Sequence, residues 1–368
     1  MANNSEFYRG KRKKIAPALI GTIIVLAVIA FAVMLFYGLQ KYIVVTNSGL
    51  HLEIPFLQDG SESTQPDEET GSIVHSFEPV NAVLEVGEPD YSNVAATAGN
   101  GLEAIKAAFV PFSEVTESGI AARLASVSGA NAVLLDAKTV TGMLAWSSET
   151  DIAKGYGTTG TVDLKPIVTS LKEKNVYVAV RLCCFVDDTL ASRYAQVALR
   201  TKDGAAYTDG NGAWLDPTNA IVKKYIASLC SELSKMGVDE IVLHGMRMPE
   251  AAGVEFAYTS SSAVTPTPVS AISGFAISMM RSMRSASAAL SVQLTSQTAM
   301  QSGSDTVTGQ NAEIFFKVFD RVYYTSDAAG AADAVSAAER YVSIGDVNMR
   351  LVPLCSEAPS TTSWVVMG

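Results

Sequence analysis

Cysteine is scarce in this chain, and the few present are not arranged as metal ligands. The 368 residues include four, Cys183, Cys184, Cys230 and Cys355, and none of these has the spacing of a zinc site. Adjacent residues on a strand point to opposite faces, so Cys183 and Cys184 are poorly placed to bond to each other. We expect no metal site and four buried free thiols, with Cys184–Cys230 the one disulfide worth checking in an exported protein.

Positive charge is also in short supply. The chain has 27 Lys and Arg against 37 Asp and Glu, which gives a formal net charge of −10 and a pI ≈ 4.9. Binding to a phosphate backbone requires clustered Lys and Arg. The one dense basic cluster, residues 11–14, instead lies directly before an apolar run at the N-terminus. The composition therefore argues against a nucleic-acid partner.

That apolar run predicts a membrane anchor. Residues 17–39 carry no charge and are almost wholly apolar, and a helix of that length crosses a hydrocarbon core of about 30 Å. The basic residues before it keep the N-terminus in the cytoplasm by the positive-inside rule. A cleaved signal peptide is the alternative, but the run is long for one and no small-x-small cleavage site follows before Lys41. We expect a single-pass protein of the cell membrane whose main part is extracytoplasmic.

The segment after the anchor divides into short pieces before the main domain. Two apolar runs flank Thr46-Asn47-Ser48-Gly49, which predicts a β-hairpin. An acidic, polar stretch then reads as a tether. The predicted organisation is a basic tail (1–16), an anchor (17–39), a hairpin (40–58), an acidic linker (59–72) and one large domain (73–368).

The large domain alternates apolar strands with helices. Eight strands with helices between them predict an α/β fold of the (β/α)₈ barrel type. The seventh helix is expected to be nearly absent, because only residues 356–363 separate the last two strands. The predicted strands are residues 104–111, 131–138 and 176–185, a strand that ends at His244, and residues 290–295, 321–325, 350–355 and 364–367.

A doubly wound sheet is the competing fold. Such a sheet usually has a Gly-rich nucleotide-binding turn after its first strand. Here the first strand is followed by Phe112-Ser-Glu-Val-Thr-Glu, which contains no glycine. The barrel is therefore favoured, and we expect no cofactor, since neither a nucleotide turn nor metal-ligand spacing is present.

The segment from Gly212 to Pro249 is the most informative stretch of the domain. Asp216 is a suitable N-cap and Pro217 a suitable first residue for a helix that Gly237 would end. A short apolar strand follows and ends in polar residues, as strands do at barrel active sites. The segment contains Trp214-Leu-Asp216-Pro217, Asp239-Glu240-Ile241, Arg247 and Pro249.

These residues resemble a bacterial family of putative glycosyl hydrolase domains, many of which are membrane-anchored. The family has Trp-Leu-Asp-Pro before the helix and Asp-Glu-Ile, Arg and Pro around the strand, and the resemblance extends over roughly residues 102–368. It implies a TIM-type barrel that hydrolyses O-glycosyl bonds in a cell-envelope or extracellular glycan. The family's aspartate at the end of this strand, its expected catalytic carboxylate, is His244 here.

Strands two and three supply further candidates. Asp136 and Lys138 match the start of the family's Asp-Val-Lys element at the end of strand two, and the resemblance places them at the site. Arg181 lies inside an apolar strand, where an arginine must be paired. It either binds carboxylates or sugar hydroxyls or pairs with Asp136 on the next strand, and the two roles are compatible.

The remaining candidates lie at other strand ends and loops. Trp214 is either a stacking platform for a sugar or a packed loop anchor. Gln293, near a position where the family has an acid, can bind but cannot transfer protons. Glu250 is a further loose acid. The candidate catalytic residues are Asp136, Glu357 and His244, and the candidate substrate-binding residues are Lys138, Arg181, Trp214, Arg247 and Gln293.

Two functions remain open at this point. The domain is a glycoside hydrolase that acts on an envelope or extracellular glycan, or it is a catalytically inactive barrel that binds carbohydrate or protein. A retaining or inverting glycosidase normally needs two carboxyl groups, and His244 and Gln293 stand where the family has acids. Asp136 with Glu357 or Glu250 is the glycosidase-like pairing that the sequence still offers.

Overall fold

A computed structural model describes residues 43–46, 49–52, 101–251, 253–259 and 265–368. The chain divides into two compact units, Met1–Ala82 and Val83–Gly368. In the first unit, Ile43–Thr46 pairs antiparallel with Gly49–Leu52, and Thr46 lies opposite Gly49. The predicted anchor at residues 17–39 and the linker at 59–72 lie outside the described residues. Within the described ranges, no helix is both long and apolar enough to cross a membrane.

The second unit contains a closed barrel of eight parallel strands. Each strand pairs with the next along the chain, and the eighth pairs with the first, so the sheet has no free edge. This closure confirms the predicted barrel and excludes the doubly wound sheet. The strands are β1 (Lys106–Val110), β2 (Ala132–Lys138), β3 (Tyr177–Cys183), β4 (Glu240–His244), β5 (Ala289–Leu294), β6 (Val322–Thr325), β7 (Leu351–Cys355) and β8 (Trp364–Val366).

Ten α-helices in the part of the chain that the structure describes surround or cap this barrel. The strands lie between the helical layer and the barrel interior, which explains why they read as nearly continuous apolar runs. The helices are α1 (Glu117–Ser126), α2 (Asp151–Tyr156), α3 (Leu164–Glu173), α4 (Asp188–Arg193), α5 (Ala220–Met236), α6 (Pro268–Met283), α7 (Gln297–Ser302), α8 (Ala312–Val318), α9 (Ala331–Ala338) and α10 (Val347–Arg350).

Two predicted details of the helices need comment. No helix lies between β7 and β8, as expected from the short connection. The helix after Trp214 begins later than predicted: α5 starts at Ala220, and its N-cap is Asn219, whose side chain accepts a hydrogen bond from the Ile221 amide. Asp216 is therefore not the N-cap, and Pro217 lies in the turn before the helix.

Alternation along the strands divides side chains between the barrel interior and the helical layer. Ala107, Leu134 and Ala179 belong to the interior cluster, whereas Val133 and Leu182 belong to the outer core. Because alternate strand residues share a face, the same alternation directs Asp136 and Arg181 into the interior. These two lie opposite each other in the β2–β3 register, at the carboxyl ends of their strands.

A buried ion pair lies at the opposite end of the barrel, near the start of the strands. Arg321 Nη1 is 2.8 Å from Glu240 Oε2, and the two side chains are 1% and 0% exposed. Tyr177 Oη donates to the same Glu240 oxygen at 3.0 Å. Glu240, one of the residues in the family-like segment, is thus committed to an internal ion pair away from the carboxyl ends of the strands.

Candidate functional site

Four polar side chains from neighbouring strands meet at the carboxyl end of the barrel. We call Asp136 (β2), Arg181 (β3), His244 (β4) and Gln293 (β5) the mouth cluster. Arg181 Nε donates to Asp136 Oδ1 at 3.1 Å, and Arg181 Nη1 donates to Gln293 Oε1 at 3.3 Å. All four residues are candidates from the sequence. They meet because the carboxyl ends of parallel strands lie on one face of the barrel.

Arg181 is the centre of this cluster. Its guanidinium carbon also lies 4.8 Å from the centroid of the Phe109 ring, a cation–π contact from β1. The Arg181 side chain is 12% exposed and that of Asp136 is 19% exposed. The expected pairing with Asp136 is therefore present, and it leaves part of both groups open at the mouth.

His244 is held close to Asp136 without a bond to it. His244 Nε2 is 3.9 Å from Asp136 Oδ1, and no described residue offers that nitrogen a hydrogen-bond partner. Burial lowers the pKa of His244 well below its usual range, and the positive charges of Arg181 and Lys138 lower it further. The imidazole is therefore neutral near pH 7, which makes it a poor proton donor.

Lys138 does not join the mouth cluster. Asp136 and Lys138 are two residues apart and would share a face on a regular strand. The β2–β3 register shifts between them, so that Asp136 pairs with Arg181 while Lys138 pairs with Leu182, an outward-facing residue. This β-bulge turns the Lys138 side chain to the outside of the barrel, where it is fully buried.

Lys138 instead forms an ion pair that the sequence did not reveal. Its Nζ is 2.8 Å from Asp187 Oδ2, and the two side chains are 0% and 1% exposed. Burial alone lowers the pKa of Lys138, but Asp187, Tyr225 and Cys183 together outweigh this effect, with Asp187 the largest of the three, so the pKa lies above its usual range. Asp187 is also the N-cap of α4, and its position before a helix is the signal in the sequence that marks it.

Trp214 is packed rather than open. Its side chain is 1% exposed, and the guanidinium of Arg247 lies 5.4 Å from the ring centroid. Arg247 Nη1 also donates to Glu250 Oε1 at 3.1 Å. This is the arrangement of the loop anchor, the second of the two roles expected for Trp214, and it leaves no ring face free for a sugar.

Asp216 links the turn before α5 to the segment that follows β4. Its Oδ1 accepts from the Thr218 amide at 2.8 Å, and its Oδ2 accepts from the Thr259 amide at 2.6 Å and from Thr259 Oγ1 at 2.7 Å. The residue is fully buried. Sequence reasoning missed this role because Thr259 is 43 residues away.

The other candidate acids stand apart from the cluster. Glu357 is exposed in the segment after β7, and the Glu250 side chain is 67% exposed and pairs with Arg247. Among the described residues, no hydrogen bond or ion pair joins either acid to the mouth cluster. The predicted catalytic pairing of Asp136 with Glu357 or Glu250 therefore remains a prediction.

One carboxylate faces inward at this end of the barrel. Near the carboxyl ends of the eight strands, the residues assigned to the inward face are Phe109, Asp136, Arg181, His244, Gln293, Thr325, Leu354 and Met367. Among these eight, Asp136 is the sole acid, and its neighbours are a guanidinium, a neutral imidazole and an amide. These groups can donate and accept hydrogen bonds, but they do not form a carboxyl pair.

The described residues contain no group of three or more His, Cys, Asp or Glu side chains placed to hold a metal ion. The four cysteines are buried with free thiols. Neither observation adds a further group to the mouth.

Comparison with known proteins identifies the family and finds several solved structures with some similarity to this chain. The glycoside hydrolase domain of PgaB (BpsB) from Bordetella bronchiseptica is 12% identical, with 72% of this chain and 93% of that chain covered at a TM-score of 0.49. Ega3 from Aspergillus fumigatus, solved with galactosamine, is 9% identical, with coverages of 71% and 81% and a TM-score of 0.41. A hypothetical protein from Ruminiclostridium thermocellum is 20% identical, with coverages of 50% and 96% and a TM-score of 0.44.

No curated protein matches the chain. Residues 111–326, more than half of the 368, match the family described as "Putative glycosyl hydrolase domain". That match begins directly after β1 and runs through β2 to β6. It includes all four residues of the mouth cluster but not Phe109, which contacts Arg181 from β1. The chain belongs to this family of glycosyl hydrolase-like domains.

Proposed function

We propose that this domain binds a cell-envelope or extracellular glycan at the mouth of its barrel and hydrolyses it slowly or not at all. The observation that carries the proposal is the composition of the mouth cluster: one carboxylate, Asp136, beside Arg181, His244 and Gln293. The predicted anchor at residues 17–39 supports an extracytoplasmic location for the domain, on the outer side of the cell membrane.

The chemistry of glycoside hydrolysis argues for low turnover. One carboxyl group must protonate the leaving oxygen, and a second must attack the sugar or activate water. Asp136 can supply one of these groups. His244, whose pKa is lowered by burial, is neutral and so cannot readily supply the proton. Gln293 has an amide in place of an acid, and an amide cannot transfer protons.

The surroundings of the mouth suit a sugar ligand. The mouth cluster presents hydrogen-bond donors and acceptors, which match sugar hydroxyls. The large apolar side chains that are exposed among the described residues all lie in segments that follow the carboxyl ends of strands. They are Val140 and Met143 after β2, Val254 after β4, and Val307 between α7 and α8 after β5. Apolar side chains around polar groups can contact the C–H faces of sugar rings.

Hydrolysis is the second candidate function, and family membership is the observation that favours it. In that case Asp136 and the exposed Glu357 are the acids. The experiment that tests the function therefore measures both glycan binding and glycan turnover.

The binding arm uses the full chain and an array of bacterial envelope and extracellular glycans. We expect at least one glycan to bind, with an affinity reduced about tenfold by Arg181→Met or Gln293→Ala, the scale of one lost charge-assisted hydrogen bond or less. Arg123→Met is the matched control. Arg123 lies on α1, where it forms an ion pair with Glu114, and in the described ranges no hydrogen bond or ion pair joins it to the mouth cluster. Binding that Arg181→Met leaves unchanged would contradict the proposal.

The turnover arm measures reducing-end release from each glycan that binds. We expect little or none above background for the natural protein, and the double variant His244→Asp, Gln293→Asp tests whether restored acids bring activity. If the natural protein hydrolyses a glycan well above background, and Asp136→Asn or Glu357→Gln abolishes that activity, the proposal of slow or absent hydrolysis is wrong and the domain is a glycoside hydrolase.

A further inference from the structure

The β-bulge in β2 separates two charged residues that a regular strand would place together. Asp136 faces the barrel interior, whereas Lys138 faces the helical layer, where Tyr225 of α5 lies near its charge. A bulge disrupts the ladder locally and re-aims side chains, so it requires compensating contacts. Other contacts must therefore hold this bulge in place beside the mouth cluster.

The Lys138–Asp187 ion pair lies directly behind the bulge. Lys138 belongs to the end of β2, and Asp187 belongs to the loop after β3, so the pair connects the two strand ends that carry Asp136 and Arg181. Removing one partner of a buried pair leaves an uncompensated charge. The pair is therefore a strong constraint on the relative position of the two strand ends.

Hydrogen bonds between the segments that follow β2 and β3 reinforce the ion pair. The Asp188 amide donates to the Val140 carbonyl at 3.1 Å, and Thr189 Oγ1 donates to the Thr141 carbonyl at 2.8 Å. Gly142 has a φ of +89°, and a Cβ built there would lie 2.1 Å from Asp187 Oδ1. Glycine at this position allows Asp187 to approach close enough to reach Lys138.

Lys138 also reaches the mouth cluster from behind. The backbone of Lys138 lies close enough to the His244 ring to raise its pKa, an effect that burial outweighs, while the Lys138 side chain points away to Asp187. One residue thus contacts Asp187 through its side chain and His244 through its backbone, and it lies two positions from Asp136.

We propose that Lys138 and Asp187 are positioning residues of the mouth: their buried ion pair holds the bulge of β2, so that Asp136 faces Arg181 and the backbone of Lys138 meets His244. Lys138 is then a support of the site and not a ligand-contacting residue, in contrast to the role expected from the sequence. The consequence for glycan binding rests on the proposed function, but the effect on His244 does not.

The test follows the His244 imidazole by NMR during a pH titration of the full chain. The chain has three histidines, His51, His75 and His244, and the signal that His244→Gln removes is the one to follow. In the natural protein we expect this ring to stay neutral well below pH 6.5, because burial and two positive charges disfavour protonation.

Loss of the Lys138 charge raises the pKa of His244 whether or not the bulge moves. The readout for positioning is therefore the chemical shift of the ring at pH 7.5, where the ring is neutral. In Lys138→Met we expect this signal to move, because the ring loses its contact with the backbone of Lys138.

Two matched variants separate positioning from general damage. Lys138→Arg keeps the charge and should keep the His244 signal at pH 7.5 close to that of the natural protein. Glu240→Gln breaks the other buried ion pair, with Arg321 at the far end of the barrel, and should lower the melting temperature while leaving His244 unchanged. If Lys138→Met shifts His244 no more than Glu240→Gln does, the positioning proposal is wrong.

A second variant covers a failure of Lys138→Met to fold. Gly142→Ala pushes on Asp187 without removing a charge, and Gly129→Ala is its control, since Gly129 also has a positive φ but a Cβ there would meet nothing within 4 Å. We expect the His244 signal to move further in Gly142→Ala than in Gly129→Ala, and equal signals would overturn the proposal. A shifted His244 together with no glycan binding by the natural protein would refute the proposed function alone.

Discussion

Arg181 orients the polar groups of the mouth. Since Gln293 Oε1 accepts from Arg181, the amide nitrogen of Gln293 is directed away from the guanidinium and is available as a donor. Asp136 Oδ1 accepts from the same guanidinium. One arginine inside an apolar strand therefore determines which atoms of its neighbours a ligand would meet.

His244 should make the stability of the protein depend on pH. Its folded-state pKa lies well below the usual value, whereas the unfolded chain protonates near pH 6.5. Above that pH the residue has no such effect. As the pH falls below about 6.5, only the unfolded state takes up the proton, so the free energy of unfolding decreases by up to about 1.4 kcal/mol per pH unit.

The measurement compares urea unfolding at pH 7.5 and pH 5.5. We expect the natural protein to lose about 1 kcal/mol more between these conditions than His244→Gln, which has no imidazole at this position. Equal losses in the two proteins would show that His244 is protonated in the folded state.

At the scale of elements, a side chain just before α5 organises the end of the segment between β3 and α5. Asp216 joins the turn that precedes α5 to Thr259, which follows β4. The N-cap of α5 is a separate residue, Asn219. Asp and Asn are both common N-cap residues, so the local sequence does not distinguish Asp216 from Asn219. The structure shows that Asn219 caps α5 and that Asp216 binds Thr259.

These two roles predict different costs of substitution. Asn219→Ala should lower the free energy of unfolding by about 2 kcal/mol, because it removes the N-cap and the hydrogen bonds that Asn219 donates to the Gln196 carbonyl and to Thr259 Oγ1. Asp216→Ala should cost about 3 kcal/mol or more, because it leaves the amides of Thr218 and Thr259 without their acceptor. Denaturant unfolding of both variants checks the order, and a larger cost for Asn219→Ala would contradict it.

The thiols belong to the same layer between strands and helices. Burial raises the pKa of the Cys230 thiol to about 12 and that of Cys184 well above its usual range, so both are unreactive thiols near pH 7. We expect a peptide map of the purified protein, alkylated after denaturation, to show all four cysteines free. A Cys183–Cys184 bridge would contradict the strand geometry, and a Cys184–Cys230 bridge would contradict the free thiols of the structure.

At the scale of the whole molecule, the two ends of the barrel have different roles. The end where the strands begin carries the internal Glu240–Arg321 pair, and the end where they finish carries the mouth cluster with its partly exposed groups. This separation is common in barrels of this type, where one face provides stability and the other provides function.

The orientation of the chain across the membrane can be tested. The basic residues before the apolar run at 17–39 predict a cytoplasmic N-terminus and an extracytoplasmic barrel. Protease added to intact cells or spheroplasts should remove the barrel domain, which an antibody against the domain would detect. A cytoplasmic protein in the same cells is the control, and full protection of the domain under conditions that spare the control would refute the topology.

The fold was predictable from the sequence for a physical reason. Strands buried on both faces are short continuous apolar runs, and the helices between them have caps and glycines at their ends, so each element is encoded locally. The polar residues at the carboxyl ends of β2, β3, β4 and β5 were also recognisable, because Asp136, Arg181, His244 and Gln293 interrupt or end apolar runs. Parallel closure alone then brings them together.

The tertiary structure decided which of the candidate residues share the site. The direction of Lys138 depends on a bulge in the register of β2 against β3, and its partner Asp187 lies on a different loop. The burial of Trp214 depends on Arg247, and the role of Asp216 depends on Thr259. Each of these outcomes is a contact between segments far apart in the chain, and no local pattern in either segment specifies the other.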